Sequence, residues 1–348
     1  MELACYIVLS LCAVLLVLTD AKKDSKMCGV FWFILLLGFS MVVRQVPQMD
    51  MHEYYKCFRL PLSSILKDAK QIKEISFWGP SSILYSLLGA ERNVFYVWDA
   101  LVFFIVLSVR KRLHLGWYFV PFYFVAFPSV LGFQNVYRQF VAVSLVINAT
   151  SFCLAEEKSR HWELRCVFSL IFAMTVHWST VAVIPIVFFL FASIKKWCVL
   201  QWFVLIGCAL ASSAFLTTDL IVSTGLNLNL LYFLFLMALL ALLMMQIRHG
   251  VDGLEFRGAA RFIVGYVTFV ATVGLVRLWG DLFYERLMLF FIPPILVLIL
   301  WQVQKKAKAT RIVLILFILL LFSLPSFLFS SSYAMMLNEE WLDWEMTN

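Results

Sequence analysis

Residues 164–196 read LRCVFSLIFAMTVHWSTVAVIPIVFFLFASIKK, from Leu164 through His177 to Lys196. The run is apolar almost throughout and is longer than the roughly 20 residues that cross one bilayer. It reads either as one long helix or as two short helices folded back at His177. Lys and Arg elsewhere in the chain decide between them, because basic residues concentrate in loops kept on the cytoplasmic side. With a fold at His177, one set of loops carries Lys22, Lys23 and Lys26; Arg110, Lys111 and Arg112; Lys158, Arg160 and Arg165; Lys195 and Lys196; Arg248, Arg257 and Arg261; and Lys305, Lys306, Lys308 and Arg311. These are most of the 28 Lys and Arg residues. A single helix would invert every later loop and scatter them. The hairpin is therefore the reading, with His177 at its tip.

Working outward, the pattern repeats along all 348 residues, which are 63% hydrophobic and 14% charged, with mean hydropathy +0.91. A soluble domain is about 45–50% apolar and about 25% charged, so this chain needs lipid as its solvent. The expected fold is all-α: a polytopic membrane helical bundle filling a single domain, residues 1–348. About twelve spanning helices are expected, near 2–19, 28–43, 94–109, 116–132, 138–155, 164–177, 178–194, 197–216, 229–247, 261–277, 286–304 and 311–329. Both termini then lie outside, which is the periplasm in a Gram-negative cell, and the acidic tail of Glu339, Glu340, Asp343 and Glu345 fits that side. Residues 44–92 form the longest outer loop. Within it, 75–90 is too short and too interrupted by Gly79 and Pro80 to span, and reads as a re-entrant or interfacial helix.

Several function classes drop out. The net charge of +7 reports loop topology and not nucleic-acid affinity. The eight cysteines fall mostly inside apolar runs with no Cys-x-x-Cys pair, so neither a disulfide framework nor a metal site is expected. Glu2 stands where a signal peptide would be basic, and no cleavage site follows near Thr19–Lys22, so a cleaved leader is not expected. No phosphate loop or dinucleotide fingerprint is present, and the inner loops are too short for a nucleotide-binding domain. No cofactor is implied.

What remains informative is basic charge on the wrong side. Arg138, Arg277 and Arg286 each sit at the outer end of a helix beside a short turn, and each is Arg and not Lys. Guanidinium suits bidentate capture of phosphate or carboxylate. The three could grip an anionic ligand at the outer leaflet, or snorkel to headgroups and pair with Asp281 and Glu285.

Four constellations could carry chemistry. Asp50-Met-His-Glu53-Tyr54-Tyr55 follows Arg44 and opens the outer loop with carboxylates suited to a general base and rings suited to sugar faces. Gln134-Asn135-Val-Tyr-Arg138-Gln139 opens a span, where helix N–H groups and the dipole add to the Arg charge. His177-Trp178-Ser179-Thr180 places an imidazole in an apolar run. Arg277-Leu-Trp-Gly-Asp281-Leu-Phe-Tyr284-Glu285-Arg286 packs cations, acids and aromatics into one outer turn. Each also has a structural reading: a solvated loop start, a cap at Asn135, a neutral core histidine, an ion-pair network. Asp99, an acid inside a span, is a functional candidate or a simple partner of Arg92 or Arg138.

The order of these pieces resembles the EpsG-like branch of the Wzy polysaccharide polymerases, which build capsule, exopolysaccharide and O-antigen. The residues that carry the resemblance are Asp50 with Tyr54 and Tyr55, the short helix at 75–90, Asn135-x-x-Arg138-Gln139 opening a span, His177-x-Ser179 one span later, and Arg286-Leu287 before a late helix. The chain departs from the pattern at Trp178, where the family more often has a small or polar residue. It also departs at Trp78-Gly79-Pro80, near where the family has a Glu. The resemblance implies a metal- and nucleotide-independent membrane glycosyltransferase at the outer face of the inner membrane. It would join undecaprenyl-pyrophosphate-linked repeat units, driven by the glycosyl–pyrophosphate bond. Arg138, with Arg277 or Arg286, would neutralise the departing pyrophosphate; Asp50, Glu53 or His177 would deprotonate the acceptor hydroxyl. Arg44, Tyr54, Tyr55, Asn135, Gln139 and Tyr284 would bind substrate. Membrane lipid, a chain-length regulator and a flippase are the implied partners.

Three rivals share the membrane setting: another polyprenyl-phosphate-linked glycosyltransferase, an O-antigen ligase, and a lipid-linked glycan flippase or transporter. Ligases usually carry a large late outer loop, absent here. A transporter gathers polar residues near mid-bilayer in paired halves, whereas these polar residues sit at the outer ends.

Overall fold

The computed structural model describes residues 2–20, 26–45, 50–126, 129–130, 132, 136–182 and 281–328. Every regular element among the described residues is helical. In chain order these are α1 Glu2–Leu18, α2 Lys26–Val43, α3 Asp50–Phe58, α4 Leu62–Ile65, α5 Ile75–Leu88, α6 Glu91–Arg112, α7 Phe119–Val125, α8 Tyr137–Leu154, α9 Trp162–Val176, α10 Asp281–Gln304 and α11 Lys308–Leu328. Two 3-10 turns, Ile72–Glu74 and Trp178–Ala182, flank α5 and follow α9.

These helices coincide with the expected segments at 2–19, 28–43, 94–109, 138–155, 164–177, 286–304 and 311–329. Lys26–Val43 and Glu91–Arg112 are each long and apolar enough to cross a membrane, while Leu3–Leu18 and Ile292–Gln304 are shorter apolar helices. The expected spans at 197–216, 229–247 and 261–277 lie outside the described residues, as does 178–194 beyond its first turn. One expectation is corrected. Residues 116–132 do not make one continuous helix: α7 ends at Val125, and Ala126 is extended (ψ 136°). Pro128 follows two residues later, and proline biases the chain before it away from helix.

The long run at 164–196 does break at the expected place. Helix α9 ends at Val176, and His177 is extended (φ −148°, ψ 113°) before the 3-10 turn begins. The helix backbone thus stops at His177, against a single long span.

Helix α8 is the centre. It is buried along nearly its whole length and packs against α6, α9 and α10. Its two ends meet different chemistry. Its C-terminal end lies with Arg112, which donates to Asn148 and Ser151 and stacks over Phe152. Nearby elements close the same end: Lys305 pairs with Glu156, Arg311 with Asp20, and the Tyr118 hydroxyl donates to Gln304. The opposite end of α8 begins at Tyr137 and meets the 50–99 region. Arg112, Lys305 and Arg311 therefore lie at one end of the bundle, and the 50–99 region, which carries Lys56, Arg59, Lys67, Lys70, Lys73 and Arg92, at the other.

The surface of the bundle is apolar where it faces outward. On α2, Met27, Phe31 and Ile34 are 77%, 60% and 63% exposed; Leu164 and Phe168 on α9 are alike. Stripes of this size drive association in water and are the normal boundary of a helix in lipid.

Helix α5 has 14 residues, about 21 Å at 1.5 Å per residue, too short to cross a bilayer. It lies against α3, α4, α6 and α9. The Ser82 hydroxyl donates to the Leu60 carbonyl (2.7 Å), and the Trp98 indole N–H on α6 donates to Ser81 Oγ (2.9 Å). The helix ends at Gly89, whose φ of 68° lets its N–H return to the Tyr85 carbonyl. Beneath it, Tyr54, Phe58, Phe77, Trp78, Phe95, Trp98 and Tyr137 form one aromatic cluster, mostly edge-to-face or tilted. That cluster welds the 50–90 segment to α6 and α8.

Candidate functional site

Two side chains from distant parts of the chain meet on one carboxylate. Glu74, the last residue of the 3-10 turn before α5, is 6% exposed. Arg138 in the first turn of α8 donates from Nη1 to Glu74 Oε2. His177, the residue that ends α9, places Nδ1 2.5 Å from Glu74 Oε1. The Trp178 backbone N–H donates to that same oxygen (3.2 Å). Burial works to raise the Glu74 carboxyl, but the hydrogen bond and charge of His177, the charge of Arg138 and the Trp178 N–H outweigh it. The carboxyl is held below its ordinary value of 4.5.

Aromatic rings hold the arginine. The Arg138 guanidinium lies 4.9 Å from the Trp78 ring centre and 5.5 Å from that of Tyr54. Its Nε donates to the Tyr54 hydroxyl at 3.5 Å. Cation–π contacts of this kind fix a guanidinium in place without neutralising it. Arg138 and His177 still reach the surface, with side chains 29% and 17% exposed.

The chemistry follows from the histidine. With Nδ1 committed to a carboxylate, a neutral imidazole carries its proton there and presents Nε2 as the acceptor. Nδ1–H donated to an anion is the arrangement that orients a general base and stabilises the imidazolium it becomes. A guanidinium shares the same anion and is well suited to phosphate oxygens.

The other sequence-derived candidates fall in several places. Tyr54 is buried and belongs to the site through Arg138. Tyr55 is half-buried and tilts against Phe95, with ring centres 5.9 Å apart. Glu53 is exposed and pairs with Lys56 one turn along α3. Asp50 opens that helix. Gln139 is buried and lines a small cleft with Ser129, Gly132, Phe140 and Pro293. Tyr284 and Arg286 fall in the first two turns of α10. Asn135 and Arg277 lie outside the described residues. Arg44 is 4% exposed and directed into the core, onto Asp99. Asp99 therefore pairs with neither Arg92 nor Arg138, correcting the simple pairing considered from sequence.

Glu74 is the residue that sequence reasoning missed. It stands alone after Lys67, Lys70 and Lys73 in a polar stretch and looks like an ordinary solvated acid. The nearest signal was the family's glutamate near residue 78, where this chain has Trp78-Gly79-Pro80; Glu74 lies about one helical turn before that position.

With this geometry in place, comparison with known proteins is decisive at the family level. The model of the EpsG family matches residues 27–345, nearly the whole chain. The chain belongs to the EpsG family. The EpsG family consists of Wzy-like polysaccharide polymerases: membrane proteins of polysaccharide biosynthesis with glycosyltransferase-like chemistry. No curated protein and no solved structure matches this EpsG-family chain.

Proposed function

We propose that this chain joins undecaprenyl-diphosphate-linked oligosaccharide repeat units into a surface polysaccharide, at the outer face of the inner membrane, without metal or nucleotide. One observation supports this above the others: Arg138 in α8 and His177 at the end of α9 share the buried carboxylate of Glu74, at the end of the bundle away from Arg112, Lys305 and Arg311. An anion grip and a general base side by side are what glycosyl transfer from a lipid diphosphate needs.

In the proposed reaction, the acceptor sugar hydroxyl loses its proton to His177 Nε2 as its oxygen bonds to the anomeric carbon of the donor. The bond between that carbon and the diphosphate breaks, and the electron pair leaves with the phosphate oxygen. Arg138 stabilises that charge, and Glu74 holds His177 in the required tautomer and stabilises the imidazolium. Arg277 and Arg286 are candidates to extend the anion grip. Asp50 and Glu53 are the remaining acids of the loop start, and Asn135, Gln139, Tyr54, Tyr55 and Tyr284 are candidates to line the sugar path. The apolar bundle and surrounding lipid hold the isoprenoid tails, and a flippase and a chain-length regulator are the partners such a reaction calls for.

Surface-glycan gels of a strain lacking the gene test this. The strain should cap its acceptor lipid with one repeat unit only, and the wild-type gene should restore the ladder. Loss of all glycan, including the single repeat, would instead indicate an earlier enzyme or a flippase. A ladder unchanged by the deletion would remove the proposal.

A further inference from the structure

Asp99 is fully buried inside α6 and accepts four hydrogen bonds on two oxygens. Oδ2 accepts from Ser40 Oγ (2.6 Å) and Arg44 Nε (3.1 Å). Oδ1 accepts from Arg44 Nη2 (3.0 Å) and from the Tyr137 hydroxyl (2.7 Å). The third guanidinium nitrogen, Nη1, lies 3.7 Å from Met51 Sδ. The guanidinium also lies against two adjoining rings, 4.9 Å from Phe95 and 4.6 Å from Tyr137, which meet edge-to-face. Every guanidinium nitrogen of Arg44 is thus engaged, and the group cannot reach a ligand without leaving this nest.

The network ties three helices together. Ser40 is on α2 and Arg44 directly follows it. Asp99 is on α6, and Tyr137 is the first residue of α8. The next residue is Arg138. Neighbours on a helix point about 100° apart, so anchoring Tyr137 sets the direction in which Arg138 leaves the helix. That direction leads to Glu74. The Tyr54 ring closes the arrangement, since it packs against Tyr137 and also faces the Arg138 guanidinium.

Stability alone does not call for such a device. A buried ion pair is often replaceable by apolar residues at no loss of stability, and ionised groups at membrane depth mark function by default. We infer that Asp99, Arg44 and Tyr137 are positioning residues that aim Arg138 at its anion, acting through the first turn of α8 without touching substrate. This rests on the proposed role of Arg138 and reassigns Arg44 from ligand contact to support.

The test uses the purified full chain in lipid nanodiscs with a lipid-diphosphate-linked repeat unit as substrate. Rates are expressed per folded molecule, with the folded fraction taken from thermal unfolding. Tyr137→Phe removes one hydroxyl and keeps the ring. The double variant Arg44→Met with Asp99→Leu removes the charges together and leaves an apolar core that can still fold. Misplacing a reacting group by about 1 Å can cost on the order of 100-fold, so both variants should lose about 10- to 100-fold in kcat/KM per folded molecule. Arg138→Ala should lose at least as much, and adding Tyr137→Phe to it should cost little more. A merely structural network would lower the folded fraction and leave kcat/KM unchanged. If Arg138→Ala is inactive while both network variants stay within about twofold of wild type, the positioning role is wrong and the proposed function stands. If Arg138→Ala is itself fully active, both the proposed function's use of Arg138 and this inference fall.

Discussion

At the scale of single residues, the site turns on a carboxylate that serves two cations. Glu74→Gln keeps the shape but cannot carry charge for His177 or Arg138. General acid–base catalysis contributes about 100- to 10,000-fold, and the variant should forfeit a large part of that. Arg138→Lys tests the other arm: an ammonium keeps the charge but offers no planar fork, so it should restore only short chains on a glycan gel, whereas a full ladder would mean that charge alone suffices. The pH dependence has a definite sign. The folded carboxyl of Glu74 lies below its ordinary value of 4.5. Its contribution to stability is therefore complete above that value and disappears as pH falls through the lower, folded one. The unfolding midpoint of the wild type should drop more steeply below pH 4.5 than that of Glu74→Gln; parallel curves would show that the ionised carboxylate adds no stability.

At the scale of elements, the helices were legible and their partners were not. Apolar runs between basic loops located α1, α2, α6, α8 and α9 to within a few residues, and charge placement alone located the break at His177. Sequence could not show that the 3-10 turn before α5 would swing Glu74 under α8, because that depends on packing between elements far apart in the chain. Asp99 was recognised as significant, but its partner Arg44 is 55 residues away, and the arginines considered were nearer the expected outer face. Two tests belong here. Gly89 ends α5 with φ 68° and open space around a would-be side chain, so Gly89→Ala carries only the left-handed backbone cost, about 1 kcal/mol. An unchanged unfolding midpoint would contradict the observed cap. Cys153 on α8 and Cys166 on α9 hold their sulfurs 3.6 Å apart. In a variant keeping only these two cysteines, a membrane-permeant oxidant should join them, and the halves should stay linked after cleavage in the 155–161 connection. Separation of the halves would mean that these helices do not pack as described.

At the scale of the molecule, the bundle is polarised. Arg112, Lys158, Lys305 and Arg311 lie at one end, and Glu74, Arg138 and His177 at the other. Under the rule that basic loops stay cytoplasmic, the end with Arg112, Lys305 and Arg311 faces the cytoplasm in the proposed function, and the Glu74 end faces outward. A single cysteine at Glu157 should react with an impermeant thiol reagent only after the membrane is opened, and one at Lys70 should react in intact spheroplasts; the reverse pattern would invert the bundle. The most direct measurement is the rate at which purified Glu74→Gln protein, shown to be folded, elongates a lipid-diphosphate-linked repeat unit. If Glu74 couples the anion grip to the base, elongation falls by about 100-fold or more. A rate within about threefold of wild type would contradict a reaction centre built on Glu74, Arg138 and His177.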